Sequence, residues 1–388
     1  MRAAHPGLGP GQTLLVAAQS GRALAQAARR AGLRPLVLDL FGDADTQALA
    51  EGYRQAEGRF GAGLAGDALV ARLDELASLG SEKPLGIVLG SGFEAAPALM
   101  RAIAGRYRLL GASPDCVGAL KDPATFAALC RAHGVPHPAV TRAPVPDRSA
   151  WLLKRAGGSG GTHIRRATAG AAPPGAYFQA RVPGRAVAIS VLAAGGAVRV
   201  VGVTEQWCAP SPLHPFRYAG ALERGRHEPP ILEPRLQTDI VAGVTRLAAA
   251  TGLAGLASAD CLIDGEAWWL TEINPRPGAT LDVLDRRATP LLGLHIAASL
   301  GRLGDPEPAP VDAAASEICY AASGYAPIPP ITWPDFVRDR PRPGTTVARH
   351  APLCTLFATG PDSAATRAML RGRAAELRIQ LALTEGHP

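Results

Sequence analysis

Lysine is nearly missing from this chain. Of its 40 lysines and arginines only three are lysine: Lys83, Lys121 and Lys154. With 44 glycines and 35 prolines alongside, the bias reads as the codon usage of a GC-rich genome, so the formal charge of +7 says little about partners. It does make the surviving lysines informative, because they mark positions where a compact ammonium is needed rather than a planar guanidinium. Aromatics are also few, 5% and scattered, with no basic stripe between them, which argues against nucleic acid. No apolar run approaches the roughly 18 residues of a membrane span, so no membrane partner is expected. The cysteines Cys116, Cys130, Cys208, Cys261, Cys319 and Cys354 form no CxxC and have no histidine at finger spacing. That excludes a zinc finger or disulfide framework and suggests reduced, mostly buried thiols in a cytoplasmic protein. The early TLLVAA, followed by a helix with Arg29 and Arg30, reads as a first strand rather than a signal peptide.

What is present is a chain of 388 residues, long enough for two or three cores. From Thr13 to about Ser113, the apolar runs TLLVAA, PLVLDL, GIVLG and YRLLGAS alternate with helical segments such as GRALAQAARRAG and EAAPALMRAIAG. Apolar strands alternating with helices imply an α/β domain over 1–115, a small doubly wound parallel sheet covered on both faces. Its GSGFE turn, Gly90 to Glu94, is either an ordinary strand-to-helix turn or a ligand-facing loop. It lacks GxGxxG, which weighs against a nicotinamide oxidoreductase. Asp122 and Pro123 open a linker helix that runs to about His133 and ends at Gly134. Strands expected over 151–156, 177–182, 186–193, 198–205, 256–263 and 266–273, with a helix over 237–251, make 116–305 an α+β region. After the proline-rich PEPAPVD, residues 306–388 read as a small C-terminal α+β domain.

Two stretches carry chemistry. In KRAGGSGG, Lys154 to Gly161, the glycines let backbone N–H groups approach phosphate oxygens, and the lysine adds a point charge. A flexible surface hairpin would look similar, but Lys121 and Lys154 are two of the three lysines, and both read as ligands of nucleotide phosphates. The second stretch is LASADCLIDGEAWWLTEINPRP, where Asp264-Gly265 signals a turn between two strands. A three-residue loop with a bulge at Gly265 sets Asp260 opposite Leu270 and puts Glu272 on Asp260's face, one diagonal along at roughly 7 to 8 Å. A two-residue loop sends Glu272 to the other face, so the chemistry predicts an odd loop count. Asn274 joins Glu272 by the period of two. Asp260, Glu272 and Asn274 then offer oxygens suited to Mg²⁺ or Mn²⁺, with nucleotide phosphates and water completing the shell.

Lys121, the Lys154 loop, Asp260 and the Glu272-x-Asn274-Pro-Arg276 strand end resemble the ATP-grasp superfamily in order and spacing, over roughly residues 13 to 300. The resemblance implies an ATP-grasp fold in which two α+β subdomains, about 140–182 and about 183–305, clasp ATP and Mg²⁺. It further implies activation of a carboxylate as an acyl phosphate for attack by an amine. Carried across, Lys121 and Lys154 contact ATP, and Gly157, Gly158, Ser159, Gly160 and Gly161 form a mobile loop over the phosphates. Gln179, Ala180, Arg181 and Val182 form the adenine hinge, where Gln179 stands in place of a common acid. Asp260, Glu272 and Asn274 hold metal, and Arg276 steadies the transferring group, making Arg276 and Lys154 the catalytic pair. The whole pattern, with TEQWCAPSPLHPFRYAG, WPDFVRDRPRPG and PLCTLFATG, looks like a branch of predicted carboligases related to biotin carboxylase in methanogens and methylotrophs. By association that suggests amide formation in a one-carbon cofactor such as methanofuran or methanopterin, with the tail a lid or dimerisation domain and a homodimer possible. The expected function is an ATP-dependent carboxylate-amine ligase acting on small molecules; alternatives are a carboxylase using bicarbonate and a non-catalytic nucleotide-binding regulator. His163 and His214 are candidate general bases or ordinary histidines, and Arg217 and Tyr218 either select an anionic substrate or pack on the surface.

Overall fold

The strand Thr13–Ala18 is buried along its whole length. It pairs in parallel with Arg34–Asp39 on one side and Ile87–Leu89 on the other, which is why its sequence is a continuous apolar run. Gly52–Gln55 extends the sheet beyond Arg34–Asp39. The strand order reverses at Thr13–Ala18, so a crevice opens where the chain leaves this strand and Ile87–Leu89 in opposite directions. Gln19 and the GSGFE turn stand there, joined by the bond from Gln19 N–H to Ser91 C=O at 2.8 Å. YRLLGAS, expected as a strand, contributes only a parallel bridge from Leu109 to Ile87. The computed structural model describes residues 11–65, 68–80 and 82–385.

Two consecutive helices follow, Pro114–Lys121 and Pro123–Ala132, each with proline in its first turn. The first was not expected from the sequence. Ser113 caps it by accepting from Cys116 N–H at 3.1 Å, and Asp122 caps the second by accepting from Thr125 N–H at 2.9 Å. The two caps fix a corner with Lys121 on its inner side, 8% exposed.

Beyond the corner lie two antiparallel sheets. One has four strands in the order Val140–Thr141, Ala176–Ala180, Trp151–Arg155, Ile164–Arg166. The other has eight, beginning with the hairpin Ala267–Asn274 and Gly255–Asp264 and continuing through Arg185–Ala194, Ala197–Cys208 and Tyr218–Glu223 to Ala313–Tyr320, Pro352–Gly360 and Val337–Arg338. Tyr218–Glu223, a strand not expected from the sequence, pairs with Ala197–Cys208 on one side and Ala313–Tyr320 on the other. The sheet therefore runs unbroken past residue 306, where a domain boundary was expected. Helix Ser363–Glu385 covers its C-terminal part, packing Leu370 and Leu377 into a core with Leu222, Leu353 and Leu356. All six cysteines are free thiols; four are buried, Cys319 is half-buried and Cys208 is exposed. No helix among the described residues is long and apolar enough to cross a membrane.

Candidate functional site

The hairpin register differs from the expected one. Asp264 pairs with Ala267, leaving a two-residue turn, and Cys261 pairs with Leu270. The register then shifts, so that Asp260 lies directly opposite Glu272, and Ser258 opposite Asn274. Gly265 has φ +58° and is the first of the two turn residues, the place where a type II′ hairpin requires glycine. Gly265 is therefore not the bulge expected in a three-residue loop. The bulge is instead at Thr271, whose hydroxyl donates to Asp260 C=O at 2.8 Å. An even turn plus one extra residue restores the shared face of Asp260, Glu272 and Asn274.

These side chains form one connected chain. Lys121 Nζ donates to Glu272 Oε1 and, at 2.7 Å, to Asn274 Oδ1. Asn274 Nδ2 donates to Asp260 Oδ2 at 2.9 Å. Asp260 Oδ1 is buried and has no hydrogen-bond partner among the described residues. Burial, reinforced by the charge of Glu272, pushes Asp260 up to about 7. Burial would raise Glu272 as well, but Lys121 and Lys154 outweigh it and hold that carboxyl down at about 2. Only two carboxylates contribute, and no group of three or more His, Cys, Asp or Glu side chains suited to a metal occurs among the described residues. The set nevertheless fits a hard cation. An orphaned carboxylate oxygen stands on Asp260, which is joined through Asn274 to the ammonium that bridges Glu272 and Asn274.

Lys154, 5% exposed, donates to Gln179 Oε1 at 3.1 Å. Burial lowers its pKa, opposed by Glu272 and Asp260. Lys121, Lys154, Gly157, Gly158, His163 and Glu272 line one narrow cavity of about 30 Å³. The glycine-rich loop is docked rather than projecting. Ser159 Oγ accepts from Gln19 Nε2 at 3.0 Å, and Gly160 C=O accepts from Tyr218 N–H at 3.0 Å. At Gly161, with φ +68°, a Cβ would lie 2.0 Å from Phe216 O, so no other residue permits this approach. Ala180, Arg181 and Val182 do not line the narrow cavity. Ala180 N–H and Arg181 N–H donate to Ala139 and Ala150 C=O at 2.8 Å, whereas Val182 N–H has no partner among the described residues.

Arg276 leaves this network and donates through Nε to Glu94 Oε1 at 2.8 Å. Burial would raise Glu94, but Arg276 and Lys121 pull it below the usual range. The GSGFE turn stands out in the sequence, but Glu94 as a partner of Arg276 does not. The available signal was an acid at the carboxyl end of a parallel strand. Arg276, Ser159 and Gly160 line a second cavity of about 300 Å³ at the crevice of the N-terminal sheet, along with Gln19 and Tyr218. Tyr218 Oη is buried without a partner among the described residues. Arg217 turns away, stacking on Tyr320 at 3.5 Å and donating to Ala209 and His350 C=O. Burial, with Lys154 beside it, pushes His163 down to about 4. His214 Nδ1 lies 3.0 Å from Thr162 O and lines neither cavity.

Residues 123–280 match the family described as ATP-grasp domain. No curated protein matches the chain. Among solved structures it is similar to the L-amino acid ligase from Bacillus licheniformis (14% identity, TM-score 0.69, covering 95% of this chain and 98% of that one). A biotin carboxylase complex from Campylobacter jejuni matches at 15% identity and TM-score 0.67, over 92% of this chain and 89% of that one. N5-carboxyaminoimidazole synthetase from Staphylococcus aureus, complexed with ADP, matches at 13% identity and TM-score 0.66, over 95% of this chain and 98% of that one. At these identities the likeness shows the fold, and the fold is ATP-grasp.

Proposed function

From an ATP-grasp fold with an ATP-grasp domain matched over residues 123–280, we propose that this chain is an ATP-dependent ligase joining a carboxylate to an amine. The γ-phosphoryl group passes from ATP to a carboxylate oxygen, releasing ADP; the amine, having given its ammonium proton to solvent, then bonds through nitrogen to the acyl carbon, the acyl C–O bond to phosphate breaks and phosphate leaves, and the nitrogen loses its second proton to solvent. The observation that carries this reading is the hydrogen-bonded run from Lys121 through Glu272 and Asn274 to Asp260 with its orphaned oxygen, and Lys154 lining the same narrow cavity as Lys121 and Glu272. Phosphoryl transfer depends on positioning and charge neutralisation more than on covalent help, and this set supplies both.

Each residue has a role. Asp260, Glu272 and Asn274 would hold Mg²⁺ or Mn²⁺, which would supply charge neutralisation on the phosphates. Lys121 and Lys154 bind phosphate oxygens, and Gly157 to Gly161 exclude water above them. Gln179 to Val182 read adenine, the free Val182 N–H being the donor available for a ring nitrogen. Arg276 keeps its terminal nitrogens for the carboxylate and the transferring group. A narrower reading, an acid and an amine of methanofuran or methanopterin assembly, rests on the sequence resemblance alone.

The test is ADP release measured over pairs of acids and amines. Glu272→Gln and Lys154→Ala are each expected to lower the rate by about 10² to 10³-fold. Undiminished release in either variant removes the site assignment. A requirement for added bicarbonate, in place of another acid, would instead identify a carboxylase. ATP binding without turnover under any pair would identify a regulator.

A further inference from the structure

The larger cavity extends well beyond Ser159, Gly160 and Arg276, the residues assigned to the phosphates and the transferring group. Besides Ser159 and Arg276 it is walled by apolar side chains, Phe41, Phe60 and Leu353 among them, and by a group of charges from three distant segments. Arg22, 2% exposed, spends its guanidinium on Asp282 and Asp339 and on Gln26. Arg338 adds a second contact to Asp282 at 2.9 Å. Two arginines thus answer two aspartates.

Asp43 is left over. It is 6% exposed and lines the cavity, and its carboxylate has no hydrogen bond or ion pair among the described residues. Its acidic neighbours are provided for. Asp39 accepts from Gly21 N–H, Gly42 N–H and Tyr53 Oη, and Asp45 accepts from Asp339 N–H and Arg340 N–H. Asp339 itself is held at φ +52°, a left-handed backbone uncommon outside glycine and kept where surroundings impose it. Burial first, then Asp339, Asp39 and Asp45, drive Asp43 well above the ordinary carboxylate range, and the nearby charge of Arg22, already spent on Asp282 and Asp339, offsets this only in part.

We propose that this cavity binds the amine substrate as its ammonium, with Asp43 as the cation-binding residue and the apolar walls taking the hydrocarbon body. A primary amine is protonated in neutral water and brings the charge that Asp43 lacks. The inference rests on the ligase reading, and it assigns one of the two organic substrates to a defined place. A carboxylate set against Asp43 would find no donor there, since Arg22 is spent on Asp282 and Asp339, so it gains nothing of what an ammonium gains at this wall.

The test uses the full chain at about pH 8, where simple amines remain protonated. Calorimetry measures binding of 3-phenylpropylamine and hexylamine against the isosteric 3-phenylpropan-1-ol and hexan-1-ol, and against 4-phenylbutanoate. The amines are expected to bind at least about 30-fold more tightly than the alcohols, and Asp43→Asn to lose that advantage while binding MgADP unchanged. No binding by either amine, equal binding of the alcohols, or preference for the carboxylate would overturn the proposal. If Asp43→Asn does not fold, Asp43→Ser serves for the same comparison. MgADP binding separates the two readings: its absence from the unaltered protein counts against the ligase, whereas its presence with amine binding indifferent to Asp43 counts against this inference alone.

Discussion

Arg287 lies against the middle of the eight-stranded sheet and Arg276 at the mouth of the cleft, and each is paired with a buried glutamate. Arg287 reaches both oxygens of Glu223 and also donates to Val201, Leu284 and Glu307 C=O, so every N–H of its guanidinium is used. Its side chain is 1% exposed. Arg276, 15% exposed, gives only Nε to Glu94, with one long contact of 3.5 Å from Nη1 to Pro277 O. A saturated pair joins elements of the fold, and an unsaturated one keeps donors in reserve for something else. Asp260 and Asp43 follow the same pattern on the acidic side: Asp260 is half-buried and Asp43 6% exposed, and each keeps a carboxylate oxygen without a partner among the described residues.

The sharpest way to break this contrast is to truncate each arginine. Arg287→Met strands Glu223 and three carbonyls, so it should cost about 3 to 5 kcal/mol in denaturant unfolding, while ADP release per folded molecule stays normal. Arg276→Met combined with Glu94→Gln removes both charges at the cleft. It should leave the unfolding midpoint nearly unchanged and lower ADP release by about 10² to 10³-fold, or ~3 to 4 kcal/mol in the barrier. Similar profiles for the two variants would erase the distinction.

His295 sharpens the contrast from the saturated side. Its Nδ1 accepts from Leu256 N–H at 2.8 Å and its Nε2 donates to Leu110 C=O at 2.9 Å, so the neutral ring is fully satisfied. Burial pushes it down from 6.5 to about 4. Because the unfolded chain takes up this proton first, stability present above pH 6.5 is lost as pH falls toward 4, by up to about 3 kcal/mol. His295→Gln, which can keep both bonds, should flatten that slope. The smallest effect is expected at the hairpin turn. Gly265→Ala, at φ +58°, should cost about 1 kcal/mol and leave ADP release intact.

Local signals made much of this legible in the sequence. The buried strand Thr13–Ala18 was an unbroken apolar run, the Asp122 cap and Pro123 announced a helix, and the rarity of lysine pointed to Lys121 and Lys154. What stayed hidden depends on contacts between distant parts of the chain. Glu94 meets Arg276 across 182 positions, and Asp43 meets Asp339 only after the C-terminal segment has joined the central sheet. The strand Tyr218–Glu223 follows a proline-rich loop and shows no clear alternation, so its place in the sheet came only from its neighbours. The bulge at Thr271 left no trace in composition, because an ordinary threonine in a strand looks the same whether or not it is counted in the ladder.

That bulge also governs how the hairpin can change over time. Adding two residues to the turn keeps Glu272 on Asp260's side, whereas adding one sends it to the opposite side unless Thr271 falls back into the ladder. Length can drift here only in compensated steps. What descent must preserve in this stretch is parity, the sum of turn and bulge being odd, rather than any particular number of residues.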